Sequence, residues 1–294
     1  MRNIITLTTD WGNSDNYAAI FKAHLHRENA DAKIMDVTHD VKKNSIADAA
    51  FLVKTMYHYF PKNSIHIIDV NFLLEYNETK YRQALKAGQN TENLCFTHYL
   101  AFHYNEHYFM CENNGIISLL CNPNEINEIV KILPDKDYSH FQTFKAISYW
   151  VNAAAKLASG KNLLAIGEKY DLKNIELLKE PAAFCPPMQK DRIVFHAQYI
   201  DSYGNIITNL HKSFFDKVAG RRTTFDFYCT PLGTQTKRRI SADYNDKSDT
   251  QLILLFGHSQ YLEIGVKYAP FAKILRAESL NFEFTITFYP EIEE

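Results

Sequence analysis

The chain has 294 residues, more than one hydrophobic core usually organises, so its length predicts two domains. Hydrophobic residues make up 46% and charged residues 22%, which is typical of a soluble globular protein. The 32 Lys and Arg nearly balance the 34 Asp and Glu, and the net charge of -2 argues against a nucleic-acid or membrane-surface partner bound through bulk charge.

No stretch of the sequence predicts a membrane segment. The first apolar run is too short for a signal peptide, and no run approaches the ~20 residues that span a bilayer. The five cysteines have irregular spacing without a CxxC pair, which is typical of free thiols in a reducing compartment. We therefore expect a cytoplasmic protein.

Strand and helix patterns alternate in the first part of the chain. NIITLTT, KIMDVTH and SIHIIDV read as strands, and helices are predicted from Asp15 to His26 and after an N-cap at Ser45. A hairpin turning at Asn105-Glu106 and a helix from Phe144 to Ala158 follow. This alternation predicts an N-terminal α/β domain, residues 1–180, with a mostly parallel central sheet.

The pattern changes at the proline-rich stretch PAAFCPPM, which is the best candidate linker. Short strand patterns separated by turn signals come after it: RIVFHAQYI, NIITNL, TTFDFYC, RRISA, QLILLF, YLEIGV and FEFTITF. Many short strands with little helix predict a C-terminal small β-barrel domain, residues 190–294.

Familiar cofactor and metal motifs are absent from the sequence. It contains no GxGxxG, no GxxxxGK[ST], no GxSxG and no HExxH. His103 and His107 flank the predicted hairpin turn instead of sharing a helix face, and we predict no metal site and no cofactor.

Polar clusters end each of the first three predicted strands. TTDWGNSDNY, VTHD and DVN would meet at one edge of a parallel sheet, where ligands of open α/β sheets bind. An ionised Asp accepts hydrogen bonds through two oxygens and suits a pair of vicinal hydroxyls, so Asp10 is a candidate for a ribose diol. Asp15 is either a ligand contact or the N-cap of the following helix.

Six segments, in this order and spacing, resemble the S-adenosyl-L-methionine hydroxide adenosyltransferase family, which is related to the fluorinases and chlorinases. The segments are IITLTTDWGNSDNY, DVTHDV, ADAAFLV, YFPKNSIHIIDV, YIDSYGNIITNL and HSQYLEIGV, and only residues 72–97 lie outside the likeness. The resemblance implies an N-terminal α/β domain, a C-terminal β-barrel and a homotrimer. In this family, the ligand lies between one subunit's N-terminal domain and a neighbour's C-terminal domain. Hydrolysing members convert S-adenosyl-L-methionine and water into adenosine and methionine without a metal.

The resemblance also assigns ligand contacts by position. Asp10 would hold the ribose hydroxyls, Asp201 the methionine amino group and Asn205 the adenine. Further substrate-binding residues would be Asp15, Tyr17, Phe144 and Ser259. Taken alone, the segment from Asp201 to Asn205 also fits a plain hairpin turn.

The family's water-orienting Asp-Arg-His group is not retained in the expected pattern. An ungapped alignment puts Asn71 at the Asp position, with Asp69 two residues early, and Lys145 at the His position. No Arg stands at the expected place, and ENNG replaces PDNG. Asn71 and Lys145 are therefore weak catalytic candidates. Groups near the extra segment could act as substitutes: Glu75, Tyr81, Arg82 or His98.

Three functions follow from this mixture of retained and altered motifs. The first is hydrolysis of S-adenosyl-L-methionine to adenosine and methionine. The second is a catalytically silent homologue that binds S-adenosylmethionine or adenosine as a sensor or sequestering protein. The third, substitution at C5′ by a halide, is the least favoured, because TFKAIS lacks the small hydroxyl residue of the halogenating relatives.

Overall fold

The computed structural model describes residues 4–70, 83, 86–88, 98–138, 140–141, 143–246, 252–276 and 282–289. Asn71, Glu75, Tyr81 and Arg82 lie outside the described residues. The chain divides into two compact units, Met1–Lys179 and Glu180–Glu294.

The described residues of the first unit form seven strands together with helices. Its strands are β1 (Ile4–Thr9), β2 (Lys33–Thr38), β3 (Ile65–Asp69), β4 (Tyr99–Tyr104), β5 (His107–Glu112), β6 (Glu128–Ile132) and β7 (Gly167–Lys169). Its α-helices are α1 (Tyr17–Glu28), α2 (Ile46–Met56), α3 (Ile116–Leu120) and α4 (Ala146–Ala158). Short 3-10 helices cover Tyr57–Tyr59, Pro123–Glu125, Lys136–Tyr138, Leu163–Ala165 and Leu172–Asn174.

The sheet of the first unit is mixed, in the order β2-β1-β3-β5-β4-β6-β7. The four strands β2, β1, β3 and β5 run parallel, whereas β4 is antiparallel to both of its neighbours. The tight turn between β4 and β5 explains the reversal. Its two residues, Asn105 and Glu106, have φ values of 46° and 65°, as a two-residue hairpin turn requires.

Helix starts in the first unit agree only partly with the sequence predictions. Ser45 caps α2 as predicted, since its side chain accepts a hydrogen bond from Asp48 N. The predicted Asp15 cap is wrong, because α1 begins at Tyr17 with Asn16 at the N-cap position and no capping side chain. Helix α4 begins at Ala146 and ends at Ala158. Helix α1 packs against α4, and α2 packs against α3.

The described residues of the second unit form a seven-stranded antiparallel sheet in the order β11-β10-β14-β8-β9-β13-β12. The strands are β8 (Arg192–Ile200), β9 (Ile206–His211), β10 (Phe225–Cys229), β11 (Gly233–Lys237), β12 (Leu252–Phe256), β13 (Tyr261–Val266) and β14 (Glu283–Phe288). Its α-helices are α5 (Lys212–Ala219) and α6 (Phe271–Ile274).

The sheet of the second unit is curled, and one side chain and one loop connect its two edge strands. Lys237 Nζ, at the end of β11, donates to Leu252 O on β12 at 2.5 Å. Ser241 N also donates to Leu254 O, so the segment RRISA lies beside β12 without forming the predicted strand. A closed barrel stays a prediction, because no ladder between β11 and β12 joins the described parts of the sheet. Within those parts, no helix is long and apolar enough to cross a membrane.

Candidate functional site

Two of the predicted polar clusters meet at the carboxyl edge of the first sheet. Strands β1 and β3 are parallel neighbours, and the last residue of β1, Thr9, pairs with Asp69. Asp10 and Asp69 therefore leave adjacent strand ends together, where open α/β sheets bind ligands. Both carboxylates are buried and line one cavity of about 460 Å³. Its other lining residues are Trp11, Tyr17, Lys43, Tyr99, Thr143, Phe144, Lys145 and Ala146.

Backbone contacts fix the turn that carries Asp10. Asn44 N donates to Asp10 Oδ2 at 3.0 Å, and Lys43 Nζ donates to the backbone oxygen of Asp10. Gly12 has φ of 84°, a conformation that glycine adopts without strain, and its N–H donates to His39 O at 2.7 Å. The turn therefore depends on contacts from the segment that follows β2.

Asp69 is held by the two tryptophans of the chain. Trp11 Nε1 donates to Asp69 Oδ2 at 2.7 Å, and Trp150 Nε1 donates to Oδ1 at 2.8 Å. Burial, with a smaller contribution from the charge of Asp10, raises the pKa of Asp69 to about 6. The two indole hydrogen bonds lower this pKa and offset the lost solvation only in part. Such a carboxyl can exchange a proton near neutral pH.

Aromatic rings form one wall of the cavity. The Trp11 ring stacks on His39 with ring centres 5.7 Å apart and meets the edge of Phe144 at 5.0 Å. Tyr17 in turn packs edge-on against Phe144 at 5.0 Å. A hydrogen bond with the Thr9 hydroxyl, 2.8 Å from His39 Nδ1, holds the His39 ring in place. These contacts bring Tyr17 and Phe144 to the same cavity as Asp10.

The remaining candidates of the first unit fall in different places. Lys145 is exposed at the start of α4 and also lines the cavity beside Lys43. Asp15 is exposed and is not among the lining residues. His98 lies elsewhere, with its Nδ1 3.0 Å from the Tyr170 hydroxyl.

Asp201 and Asn205 form one hydrogen-bonded turn in the second unit. Asp201 Oδ1 accepts from the backbone N–H groups of Tyr203 and Asn205, and its Oδ2 accepts from Asn205 Nδ2 at 2.9 Å. Asp201 lines a cavity of about 660 Å³, and Asn205 lines one of about 520 Å³. Tyr203 borders both cavities, while Tyr268 borders the second. Asp201 and Asn205 therefore form the turn that the sequence left open as one alternative. Their contacts with a ligand stay a prediction.

Ser259 lies in the loop between β12 and β13 and is buried. Its hydroxyl oxygen accepts from Tyr261 N at 3.3 Å. An added Cβ at Gly257 in the same loop would lie 1.8 Å from Glu263 Oε1, so a side chain there would require the Glu263 carboxylate to move. Ser259 lines neither of the two cavities of this unit that contain Asp201 or Asn205.

The structure adds Asp69 and Tyr99 to the site residues expected from the sequence. Asp69 lies in the predicted strand-end cluster DVN, but the ungapped alignment places Asn71 at the position of the family's Asp. Tyr99 begins β4 beyond the extra segment, and no local motif marks it. Across the described ranges, no group of three or more His, Cys, Asp or Glu could hold a metal ion.

The fold and the site define a two-domain protein with an α/β unit, an antiparallel second unit and a buried carboxylate pair at parallel strand ends. The chain belongs to the SAM hydroxide adenosyltransferase family. The family's N-terminal domain matches residues 5–167, and its C-terminal domain matches residues 195–280.

Similar proteins agree with this family. An (R)-S-adenosyl-L-methionine hydrolase of Methanocaldococcus jannaschii is 27% identical over 233 residues, which are 78% of this chain and 72% of the relative. An uncharacterized conserved protein from Thermotoga maritima has the same fold, with a TM-score of 0.77 and 20% identity over 97% of this chain and all of that one. A conserved hypothetical protein from Thermus thermophilus matches with a TM-score of 0.64 and 16% identity over 98% of this chain and all of that one.

Proposed function

We propose that this chain binds S-adenosyl-L-methionine and hydrolyses it to adenosine and L-methionine by attack of water at C5′. The observation that carries the proposal is the pair of buried carboxylates, Asp10 and Asp69, in one cavity walled by aromatic rings. Family membership supports an enzyme of this class, and the name of the archaeal relative supports the epimer that is R at sulfur.

In this proposal, each lining group meets a matching part of the ligand. Asp10 accepts hydrogen bonds from the ribose 2′- and 3′-hydroxyls. The faces of Tyr17 and Phe144 attract the positive sulfonium, as aromatic rings attract organic cations. The ammonium groups of Lys43 and Lys145 pair with the methionine carboxylate, the one anionic group of the ligand.

Asp69 supplies the base of the proposed reaction. Its carboxylate accepts a hydrogen bond from a water molecule behind C5′ and takes the proton as the oxygen attacks. The C5′–S bond breaks, and its electron pair stays on sulfur, so the products are adenosine, neutral thioether methionine and one proton. A base with a pKa near 6 suits proton transfer near neutral pH, where general-base catalysis typically contributes about 10²–10⁴-fold.

The second unit contributes further proposed contacts. Tyr203 and Tyr268, both largely exposed, offer flat rings on which a purine can stack next to Asn205. Asp201, Asn205 and Ser259 keep the roles that the family resemblance implies, and so does Asp15. The absence of a metal and cofactor and the assembly into a homotrimer also belong to the proposal. Sedimentation of the purified protein tests the homotrimer.

The direct test is incubation of the purified chain with each sulfur epimer of S-adenosyl-L-methionine, followed by chromatography of adenosine and methionine. We expect both products in equal amounts and above the spontaneous rate. Asp10→Asn should weaken ligand binding, whereas Asp69→Asn should lower turnover. Asp40→Asn is the matched control, because Asp40 is an exposed carboxylate after β2 that does not line the cavity.

The silent binding protein is the second candidate function. Its support is that the described lining of the cavity contains neither Arg nor His, the partners of Asp in the family's water-orienting group. Calorimetric binding of S-adenosyl-L-methionine without any adenosine above background would favour this function over hydrolysis.

A further inference from the structure

A second buried pair of polar side chains, Tyr99 and Glu112, adjoins the cavity through Tyr99. Tyr99 on β4 and Glu112 on β5 face each other in the antiparallel ladder, so their side chains share one side of the sheet. Both residues are buried, and the Glu112 carboxylate lies close enough to Tyr99 to raise the pKa of its hydroxyl. Tyr99 also lines the cavity that contains Asp10 and Asp69.

The ring of Tyr99 is held on two sides. It stacks on Tyr149 with ring centres 3.8 Å apart and planes 14° apart. Trp150 meets it edge-on at 4.9 Å, and the same indole donates to Asp69. Trp150 therefore fixes Tyr99 and Asp69 relative to each other, as a preorganised pair of groups requires.

The electrostatics keep Tyr99 neutral. Burial raises the pKa of Tyr99 far above its usual range, and the nearby charges of Glu112 and Asp69 raise it further. The phenol therefore retains its proton at every pH at which the protein would act. A phenol whose proton is directed to a neighbouring carboxylate has lone pairs left to accept a hydrogen bond, and Glu112 is the carboxylate paired with Tyr99 across the strands.

We propose that Tyr99 is a further catalytic residue, which together with Asp69 orients the attacking water, and that Glu112 is its positioning residue. This inference depends on the proposed hydrolysis. The water donates one O–H to the Tyr99 oxygen and the other to the Asp69 carboxylate. Both hydrogens are then engaged, and a lone pair of the water oxygen is directed away from them toward C5′.

A pair of acceptors also suits the charge of the substrate. A cationic side chain at this position would repel the sulfonium, whereas a neutral phenol and a carboxylate do not. Glu112 acts only through Tyr99, by keeping the hydroxyl proton turned away from the water. The two residues therefore predict different kinetic effects when they are changed.

The test compares the steady-state kinetics of Tyr99→Phe with those of Tyr149→Phe in the full-length protein. We expect Tyr99→Phe to lower kcat for adenosine formation by about 10²-fold with KM unchanged, since orientation of water affects the transition state and not ligand binding. Tyr149→Phe should leave both constants unchanged, because its ring stacks on Tyr99 without lining the cavity that holds Asp69.

Variants of Glu112 test the role of the Tyr99 hydroxyl independently. Glu112→Ala should lower kcat, and Glu112→Gln should restore most of it, because the amide oxygen still accepts from the Tyr99 hydroxyl. Thermal unfolding of every variant identifies any that do not fold. If Tyr99→Phe does not fold, the difference in kcat between Glu112→Ala and Glu112→Gln serves in its place, with the acidic limb of both pH–rate profiles unchanged.

The outcomes separate the two proposals. A wild-type protein that forms no adenosine refutes hydrolysis and this inference with it. An active wild type whose Tyr99→Phe variant keeps kcat within about threefold refutes the role of Tyr99 alone, since removal of a catalytic hydrogen bond costs far more. An equal fall in Tyr149→Phe would show that the ring stack is merely structural and would also overturn the inference.

Discussion

The titration of Asp69 makes the sharpest physical prediction for this protein. The perturbation is a rise in pH from 4.5 to 7.5, compared in the wild type and in Asp69→Asn. The folded state keeps the Asp69 proton up to a pKa of about 6, whereas the unfolded chain releases it near 3.8. The folded state therefore binds more protons between these two values, so the free energy of unfolding falls as pH rises through this window.

The size of the effect follows from the two pKa values. A difference of about two units corresponds to roughly 3 kcal/mol of stability that is present at low pH and lost by about pH 7. Asp69→Asn removes this titration. It also leaves one indole N–H facing an amide donor, which costs about 1–3 kcal/mol. At pH 7.5 the two effects nearly cancel, and at pH 4.5 the variant is less stable than the wild type.

Tryptophan emission measures this effect directly. The chain has two Trp, and both donate to Asp69 in the first unit, so urea unfolding followed by fluorescence reports on that unit. The difference between the two stability curves should change across pH 4–6, and the folded-state emission should titrate near pH 6 in the wild type and not in Asp69→Asn. Asp40→Asn should behave as the wild type. A pH-independent difference between the curves would refute the burial argument for Asp69.

Three further predictions concern the same unit. His66 is buried against Thr6 and His107, and burial lowers its pKa to about 3, so the unfolded state gains a proton first as pH falls below 6.5. Between pH 7 and pH 5, this titration should lower the free energy of unfolding of the wild type by about 2 kcal/mol. His66→Gln should show no such loss in the same urea assay. Ser45→Ala should lower the free energy of unfolding by about 1 kcal/mol, measured by thermal unfolding, because the N-cap of α2 is lost. Ser45→Thr should keep most of the wild-type stability, because its hydroxyl can still cap the helix. Gly12→Ala should lower the free energy of unfolding by about 1 kcal/mol or more, because φ of 84° strains any side chain at this position. It should also weaken ligand binding measured by calorimetry. An unchanged affinity would exclude the turn as a determinant of the site.

Local patterns in the sequence predicted the elements that depend on local backbone chemistry. The Ser45 cap and the Asn105-Glu106 hairpin follow from a few neighbouring residues, and both are present. The alternation of strand and helix also predicted the α/β unit. Asp15 shows the limit of this reasoning, since several polar residues compete for one helix start and the chain begins α1 two residues later.

The site itself depends on contacts between distant segments. Asp10 was a candidate from its motif alone, but its partner Asp69 comes from a strand that lies beside β1 only because of the sheet order. The raised pKa of Asp69 arises from burial and from two indoles far apart in the chain. Tyr99 reaches the cavity because β4 inserts antiparallel beside β5. The sequence determined which residues could bind and react, and the tertiary structure decided which of them meet, because desolvation and strand adjacency are properties of the packed chain.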